Sequence, residues 1–433
     1  MQKTLLIIAS IMFISFTACD SMIDDKSKES QSYFKMMLSG HNGAHDSGLA
    51  VNPGNCDPFW SKAYGTALEE NAFSACMTSD GGYMIAGYGD YDRNGIRSKD
   101  GRIIKIDAGG KLIWERYYGG TGENKLLTII KASDSNFVAA GYTASRGNGG
   151  KDAWGTKISP GGDIIWDRTF GGAGDEVANS IIQDSSGGFV FTGTTSTSKS
   201  EGDVYAVELD ASGNLVWQKQ FGGPGDDAGN AIVEAEPGTY VIAGYSRSFG
   251  AGDKDSWIFK VDDRGTVVKW GEPALEWSFT YGIADNDSIS SIIKDGSDGY
   301  ILAGYSTSLT NGLRDFRILK IDSHGAIVWD KTYEDYNDET INSICEAHDG
   351  GYMAAGSSAQ DIDNADYQIL KIDYDGNKQW RKTYGGPADD AAFSIIPGYQ
   401  GSFVVAGYMT DYRLKSKDFW VINVNSTGDI PVK

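Results

Sequence analysis

The sequence predicts an all-β fold of seven repeated units, each a small antiparallel sheet of four strands. Three markers recur in every unit: a Trp-x-x-x-aromatic segment, a Gly 27 positions after that Trp (87 − 60 and 407 − 380 are both 27), and an Asp ten to thirteen positions after that Gly. Because one offset is held through seven copies, the pattern is an internal repeat and not a coincidence. The predicted architecture follows from this repeat.

The tryptophans open the strand that we expect to join neighbouring units. A large ring on a twisted sheet buries much apolar area, and a glycine in a neighbouring strand offers it a flat surface. We therefore predict that these side chains pack the units together and do not contact a ligand. They are Trp60, Trp114, Trp166, Trp217, Trp277, Trp329 and Trp380.

Four short runs rich in β-branched and aromatic residues make up each unit. In the third unit these runs are 179–183, 188–195, 203–210 and 214–221. Short strands separated by Gly, Ser, Asn and Asp indicate an antiparallel meander. Units of about 50 residues with four strands, repeated seven times, predict a seven-bladed β-propeller. An insertion around Trp270 interrupts the rhythm in the fourth unit.

The segment Trp60–Gly65 is a copy of the Trp strand that precedes the first complete unit. The last unit ends with the run from Asp418 to Val424, after which only nine residues remain (433 − 424). We predict that Trp60–Gly65 is the fourth strand of the seventh blade. This pairing closes the ring and removes an exposed sheet edge.

The first 18 residues have the pattern of a lipoprotein signal peptide. Lys3 precedes an apolar run, and small residues stand directly before Cys19. A transmembrane helix is the alternative, but the run is shorter than the roughly 20 residues that span a bilayer. We expect removal of residues 1–18, lipidation of Cys19, a flexible tether over residues 19–56 and the propeller over residues 57–433. The expected location is extracytoplasmic, with the outer membrane of a Gram-negative cell as the expected membrane and the cell surface as an open alternative.

Acidic side chains outnumber basic ones, 59 against 38, and the formal net charge is −21. This charge argues against nucleic acid as a partner and favours cations, neutral glycans or basic protein surfaces. A purely solubilising role is the open alternative. We expect a monomer that contacts the membrane through its lipid anchor and binds an extracellular or periplasmic protein or glycan.

The hairpins before the tryptophans resemble those of known propellers. Lys105–Trp114 and Glu208–Trp217 resemble the tryptophan-docking repeats of quinoprotein-like propellers, which include an outer-membrane assembly lipoprotein. The likeness covers one hairpin per blade over residues 57–425, although those propellers usually have more blades. The whole unit is similar to the Asp-Gly-Gly-Tyr repeats of bacterial lipoprotein propellers, as at Asp80–Tyr83. That resemblance implies the fold and the location but no reaction.

Carboxylates recur nine and ten positions after the tryptophans, in the connections between blades. Two interpretations are open. Acids in turns commonly accept hydrogen bonds from turn amides, which is a structural role. A ring of acids around the central channel would instead attract cations or a basic partner. We call this set the acidic collar: Glu69, Glu70, Asp175, Glu176, Asp226, Asp227, Asp338, Glu339, Asp389 and Asp390.

One loop in the first blade has the spacing of a calcium loop. Asp90, Asp92 and Asn94 alternate before a glycine, and Ser98 occupies the ninth position. The twelfth position, however, is Gly101, where a calcium loop has a bidentate Glu. An ordinary Asp/Asn turn is the open alternative. Calcium is the one cofactor that the sequence suggests.

Residues for catalysis are scarce. Within the predicted ring, His324 and His348 cannot supply a histidine-based triad or a three-histidine metal site. Cys76 and Cys345 occupy equivalent strands of two repeats and suggest no disulfide framework. We predict a binding or interaction module for protein or glycan, without catalysis. The alternatives are an enzyme that acts on polysaccharide through paired carboxylates and a scaffold in an envelope assembly complex.

Overall fold

The computed structural model describes residues 59–430, with gaps at 67, 94, 198–199, 252, 271–274, 283–285, 297–298, 308–311, 336 and 360–363. The predicted signal peptide, Cys19 and the predicted tether lie outside the described residues and stay predictions. A search of the described part of the chain finds no helix with the length and apolar character that a membrane span requires.

Within these residues, the strands form seven four-stranded antiparallel sheets, the blades, and one two-stranded ribbon. In chain order the strands are β1 (Trp60–Tyr64), β2 (Glu70–Met77), β3 (Tyr83–Arg93), β4 (Ile96–Ile106), β5 (Leu112–Tyr118), β6 (Asn124–Lys131), β7 (Phe137–Thr143), β8 (Asp152–Ile158), β9 (Ile164–Phe170), β10 (Asp175–Gln183), β11 (Phe189–Thr197), β12 (Ser200–Leu209), β13 (Leu215–Phe221), β14 (Asp227–Glu236), β15 (Thr239–Ser246), β16 (Asp255–Asp262), β17 (Lys269–Trp270), β18 (Leu275–Glu276), β19 (Ser278–Tyr281), β20 (Asp287–Lys294), β21 (Tyr300–Thr307), β22 (Arg314–Ile321), β23 (Ile327–Tyr333), β24 (Asp338–Glu346), β25 (Tyr352–Ala359), β26 (Ala365–Ile372), β27 (Lys378–Tyr384), β28 (Ala391–Pro397), β29 (Phe403–Thr410) and β30 (Lys417–Val424). Blades 1 to 7 are β2–β5, β6–β9, β10–β13, β14–β16 with β19, β20–β23, β24–β27, and β28–β30 with β1.

The blades close into a ring around their first strands. Each first strand contacts the first strand of the next blade, from β2 and β6 around to β28 and β2. The predicted seven-bladed β-propeller of four-stranded antiparallel blades is therefore confirmed. Its core lies between adjacent blades, where one apolar cluster joins Ile85 of blade 1 to Val421 of blade 7 and another joins Val138 of blade 2 to Phe191 of blade 3.

The N-terminal strand closes the ring as the sequence predicts. β1 lies antiparallel to β30 and is paired with it from Trp60 to Tyr64. The indole N–H of Trp420 also donates to Ser61 Oγ at 2.8 Å, across 359 positions of sequence. β1 thus supplies the fourth strand of blade 7.

The predicted strand boundaries and the insertion also agree with the structure. In blade 3 the largest difference is at the first strand, which begins at 175 instead of 179. The insertion contains the ribbon β17–β18, which pairs Trp270 with Leu275 and lies between the third and fourth strands of blade 4.

The fixed glycine of each second strand faces a β-bulge in the first strand. A Cβ added at Gly87 would lie 1.9 Å from the carbonyl oxygen of Asn71, and one added at Gly244 would lie 1.9 Å from that of Ala228. The bulge pushes the carbonyl towards the neighbouring strand and leaves no room for a side chain. This explains why the repeat keeps a glycine at one offset in all seven units.

The tryptophans lie on the next blade, and the glycine beneath them is in a turn and not in a strand as expected. Trp60 Nε1 donates to Ala108 O at 2.8 Å, and the Tyr64 hydroxyl donates to Gly110 O at 2.6 Å. Gly110 has a φ of +74°, and a Cβ there would lie 2.8 Å from the Trp60 ring. Equivalent indole bonds join Trp114 to Pro160, Trp217 to Asp263, Trp277 to Ser323, Trp329 to Tyr374 and Trp380 to Ser426.

Gly110→Ala should lower the free energy of unfolding by about 2–4 kcal/mol, because it adds backbone strain to an overlap with Trp60. Gly81→Ala is the matched control: its φ is +81°, but nothing lies within 4 Å of its Cβ position. The control should therefore lose only about 1 kcal/mol, from strain alone. Urea unfolding followed by tryptophan fluorescence measures both variants. Equal losses would show that Trp60 does not rest on Gly110.

Candidate binding face at the channel mouth

One end of the ring gathers the connections between blades and the loops between second and third strands. Backbone hydrogen bonds join the two sets: Asp90 N–H donates to Glu69 O at 3.0 Å, and Arg247 N–H donates to Asp226 O at 3.0 Å. We call this end of the ring the channel mouth. It carries both the acidic collar and the calcium-like loop.

The inner members of the collar are buried where each first strand begins. Glu70, Asp227 and Glu339 have no exposed surface. Glu70 and Asp227 each lie against the Asp of the third strand of the preceding blade. A Cβ added at Gly222, for example, would lie 2.3 Å from Asp203 Oδ1 and 2.6 Å from Asp227 Oδ2. We call these contacts, together with the equivalent positions Asp315 and Glu339, the junction pairs: Asp418/Glu70, Asp100/Asn124, Asp152/Glu176, Asp203/Asp227, Asp255/Asp287, Asp315/Glu339 and Asp366/Asp390.

Several junction pairs have a polar partner that offsets the buried charge. Arg317 Nη1 donates to Asp287 Oδ1 at 2.8 Å, and Arg381 forms an ion pair with Glu339. Arg102 acts in the same way on Glu70, although burial still raises the pKa of that carboxyl. Between blades 1 and 2 an amide replaces one acid, because Asn124 Nδ2 donates to Asp100 Oδ1 at 3.0 Å.

Two junction pairs hold a proton near neutral pH. Burial, and then the charges of Asp366 and Asp389, raise the pKa of Asp390 to about 7. Burial and then the charge of Glu70 raise the pKa of Asp418 to about 7. Two carboxyls that meet away from water cannot both be charged without a large cost, so one of them retains its proton.

The outer members of the collar bond to tyrosines and cations. Tyr245 donates to Asp226 Oδ2 at 2.8 Å, Tyr408 donates to Asp389 Oδ2 at 2.6 Å, and Lys417 Nζ donates to Asp389 at 3.2 Å. In five blades a cation lies 3.5 to 5.4 Å from the centroid of such a tyrosine ring. We call these pairs the tyrosine belt: Tyr88/Lys99, Tyr142/Lys151, Tyr245/Lys254, Tyr305/Arg314 and Tyr408/Lys417.

The tyrosine belt was not predicted, although the sequence contains a signal for it. Each Tyr directly follows the fixed Gly, and each Lys or Arg directly precedes the Asp of the third strand. Blades 3 and 6 lack both partners, with Thr194 and Gly202 in one and Ser357 and Ala365 in the other. The two positions vary together because they meet as a cation–π pair.

The collar carboxylates are therefore bonded within the chain. The inner carboxylates of the collar also accept hydrogen bonds from backbone amides in turns. Gly223 N–H donates to Asp227 at 2.9 Å, and Gly386 N–H donates to Asp390 at 2.9 Å. These are the contacts that the structural interpretation expects, and the attraction of cations or a basic partner stays a prediction. Elsewhere in the collar, Glu69 pairs with Lys99, Asp175 accepts the N–H of Lys151, Glu176 accepts the N–H of Gly172 and Asp338 pairs with Arg314.

The calcium-like segment is part of a tight hairpin. Asp90 and Asp92 lie in β3, opposite Lys99 and Arg97 of β4, while Ser98 lies opposite Tyr91. Gly95 N–H donates to Asp92 Oδ1 at 2.6 Å, and its φ is +88°, as a two-residue Asn-Gly turn requires. Asn94 itself lies outside the described residues. The flanking strands do not leave the open loop that the hypothesis assumed, and calcium binding by Asp90, Asp92, Asn94 and Ser98 stays a prediction.

Each first strand has one bulge residue, and the side chain of that residue is half-buried in every blade. Three of these are asparagines that stitch their blade to the next: Asn179 Nδ2 donates to Gly229 O at 3.0 Å, and Asn342 Nδ2 donates to Ala392 O at 2.7 Å. Asn230 makes the equivalent bond of 2.8 Å. The full set of bulge residues is Phe73, Leu127, Asn179, Asn230, Ser290, Asn342 and Phe393.

The bulge residues are therefore polar on one side of the ring, in blades 3 to 6, and apolar on the other. Phe393 of blade 7, Phe73 of blade 1 and Leu127 of blade 2 come from three consecutive blades of the ring, and all three are half-buried. The rings of Phe73 and Phe393 meet edge to face at 5.0 Å, and Tyr88 and Tyr408 of the tyrosine belt lie 5.8 and 6.0 Å from them. We call Phe73, Leu127 and Phe393 the apolar sector.

Residues with catalytic chemistry do not cluster in the described part of the chain. No group of three His, Cys, Asp or Glu side chains there is arranged to hold a metal ion. Cys76 and Cys345 are free thiols, and burial raises the pKa of both. Cys56 lies outside the described residues.

No protein-family model matches the sequence. The chain is similar to the regulatory protein FlaEY of Caulobacter vibrioides, with 24% identity over 327 residues, which are 72% of this chain and 30% of that protein. It thus spans less than a third of that relative.

Two solved structures are similar as well. The WD40 domain of Pan2 from Neurospora crassa has 10% identity and a TM-score of 0.48, over 81% of this chain and 88% of its own. The β-propeller domain of the trilobed protease from Pyrococcus furiosus has 8% identity and a TM-score of 0.44, over 83% of this chain and 94% of its own. At these values neither likeness bears on the site.

Arg317→Met should lower the free energy of unfolding by about 3–5 kcal/mol, because it leaves the buried Asp287 without its cation. Arg314→Met is a control from the same strand: its ion pair with Asp338 is substantially exposed, with 45% and 34% of the two side chains accessible. The control should cost less than about 1 kcal/mol. Chemical denaturation at neutral pH measures both. If Arg317→Met lost no more stability than the control, Arg317 would not be needed to neutralise the buried Asp287.

Proposed function

We propose that the protein is a membrane-anchored, extracytoplasmic binding module that takes a protein ligand at the apolar sector of the channel mouth. A propeller suits a protein-interaction module, because a rigid ring presents variable loops on one face. The observation that carries the proposal is the departure of Phe73, Leu127 and Phe393 from the pattern of the other blades.

Ring closure does not require those apolar side chains. In blades 3, 4 and 6 the same position holds an asparagine that bonds to the next blade, as Asn230 does at 2.8 Å. Phe73, Leu127 and Phe393 cannot make that bond, and they bring apolar surface to a channel instead. A substitution that gives up a stabilising contact for exposed apolar area is typical of a ligand site.

The surroundings of the apolar sector favour a protein segment with an aromatic or aliphatic anchor. Phe73 and Phe393 can contact such a side chain with an aromatic edge and an aromatic face. Aromatic residues of this kind often supply most of the binding energy at a protein interface. Around them, Glu69 with Lys99 and Asp389 with Lys417 supply both signs of charge. Such a rim accommodates the polar groups that flank an anchor side chain.

A glycan is the second candidate. The apolar face of a sugar ring packs on aromatic side chains, and the carboxylates and lysines beside Phe73 and Phe393 provide hydrogen-bond partners for its hydroxyls. The enzyme alternative has less support, because the paired carboxylates it needs are buried in the junction pairs, as with Glu70 and Glu339. A scaffold in an envelope assembly complex would use the same protein-binding face.

The anchoring part of the proposal rests on the sequence around Cys19. Cys19→Ala should abolish incorporation of radiolabelled palmitate, because it removes the thiol that would be acylated. It should also move the protein from the membrane fraction to the soluble fraction, since lipid chains supply the membrane affinity. Cys56→Ala serves as the matched control. If Cys19→Ala took up no palmitate and still stayed in the membrane fraction, a lipid on Cys19 would not be what holds the protein there.

Phe393→Asn, combined with Phe73→Asn, should remove ligand capture without loss of stability. The new side chains replace the edge-to-face contact of Phe73 and Phe393 with the inter-blade hydrogen bonds that blades 3, 4 and 6 have, so the melting temperature should change little. The measurement is cross-linking on intact cells followed by quantitative mass spectrometry, with a glycan array in parallel. Tyr399→Asn, an exposed aromatic in the turn of blade 7 away from the channel mouth, is the control. Equal capture by all variants would contradict the assignment of the site.

A further inference from the structure

We propose that blade 7, the blade that closes the ring, is held on both flanks by proton-dependent junctions, so that the ring is tight in mild acid and loosens first at blade 7 as the pH rises. The inference does not depend on the proposed ligand. It concerns Asp366/Asp390, between blades 6 and 7, and Asp418/Glu70, between blades 7 and 1.

Each of the two junction pairs brings two carboxyls together: Asp418 and Glu70 share a hydrogen bond, and Asp366 and Asp390 meet beside Gly385. A Cβ added at Gly385 would lie 1.9 Å from Asp366 Oδ1 and 2.8 Å from Asp390 Oδ2. Asp390 is only 2% exposed and Glu70 is fully buried. Two carboxylates that meet away from water repel each other strongly, and one proton shared between them converts the repulsion into a hydrogen bond.

The groups that face Asp390 leave that charge largely unopposed. Asp390 accepts the N–H of Gly386 at 2.9 Å and the N–H of Thr410 at 2.8 Å. Asp366 and Asp389 lie beside it and raise its pKa. The buried Tyr367 and Tyr408 are the other titratable groups next to it, and Lys417 is engaged by Asp389.

The groups that face Asp418 oppose its charge only in part. Glu70 shares a hydrogen bond with it and raises its pKa, as the charge of Asp411 also does. Arg102 acts in the opposite direction on both carboxyls, and the hydroxyl and N–H of Thr66 donate to Glu70. The pKa of Asp418 still stays at about 7, so this junction also loses a proton near neutral pH.

The junction between blades 1 and 2 is a built-in reference. There the Asn124 amide donates to Asp100 at 3.0 Å, which is the bond that a protonated carboxyl makes in an acid–acid pair. An amide does not titrate, so this junction keeps its bond at any pH. Blade 7 differs from blade 2 because both of its junctions depend on a proton.

The direction of the effect follows from the pKa values. Asp390 and Asp418 have a pKa of about 7 in the folded protein, against an ordinary value of 3.8 for an aspartate. A folded-state pKa above the unfolded one stabilises the fold fully below the unfolded value, and this contribution is lost as the pH rises through the folded value. Stability should therefore fall between about pH 4 and pH 7 and level off above that range.

Hydrogen exchange of the full-length protein tests the proposal. Between about pH 5.5 and pH 8.5, after correction for the chemical exchange rate, protection of peptides from β28 to β30 and β1 should fall about tenfold or more, while β6 and β7 keep theirs. Asp390→Asn should remove much of the change at the junction with blade 6. Asn124→Asp should create a new pH-dependent loss at the junction of blades 1 and 2.

Two results would overturn the proposal. One is equal pH dependence of exchange in blades 7 and 2 of the unmodified protein. The other is an Asn124→Asp variant, folded at mild acid pH, whose blade 2 exchange is no more sensitive to pH than that of the parent. The second comparison holds even if Asp390→Asn fails to fold.

Discussion

The docking of each outer strand on the next blade is the contact on which the rest of the molecule depends. Among the described residues, the Trp indole in six blades, and in five of these also a Tyr hydroxyl, bonds to a turn of the next blade, whereas Trp166 packs on Gly213 without an indole hydrogen bond. Because every blade packs its Trp on one neighbour and receives the Trp of the other, the contact can be made by all blades only in a closed circle. Closure in turn brings the first strands together, where bulges, asparagine stitches and junction pairs fill the inner circumference.

The sequence predicted the repeated unit and the closure of the ring, but it missed the junction pairs and the asparagine stitches between neighbouring blades. The Trp-to-Gly offset and the surplus strand at Trp60 are local patterns, so blade number and ring closure could be read from them. Apart from Asp418/Glu70, the junction pairs and the asparagine stitches join residues of neighbouring blades roughly 20 to 60 positions apart, such as Asn230 and Ile289, and spacing alone does not indicate such contacts. The collar acids were found by their recurrence, but their burial and their partners depended on the third strand of the blade before.

Symmetry separates scaffold from function in this protein. A residue present in all blades has a role in all blades, and the tryptophans, the fixed glycines and the junction acids have roles in packing and hydrogen bonding. The apolar sector breaks the pattern over three consecutive blades. At the bulge position, Phe73 and Phe393 are large aromatic residues where other blades have a polar asparagine, such as Asn179 and Asn342. Repeat proteins can thus be searched for sites by subtraction: what remains after the common unit is removed is the candidate surface.

The pairing of β1 with β30 has a consequence for how the chain folds. Six blades are consecutive hairpins and can form while the chain is still emerging, but blade 7 joins strands whose contacting residues are 359 positions apart. Long-range pairing of this kind is slow, because the loop that it closes is long. The strand that emerges first must therefore wait for the last one, and until then both sheet edges stay open to other chains. A chain of this type needs protection from aggregation until its final strand arrives.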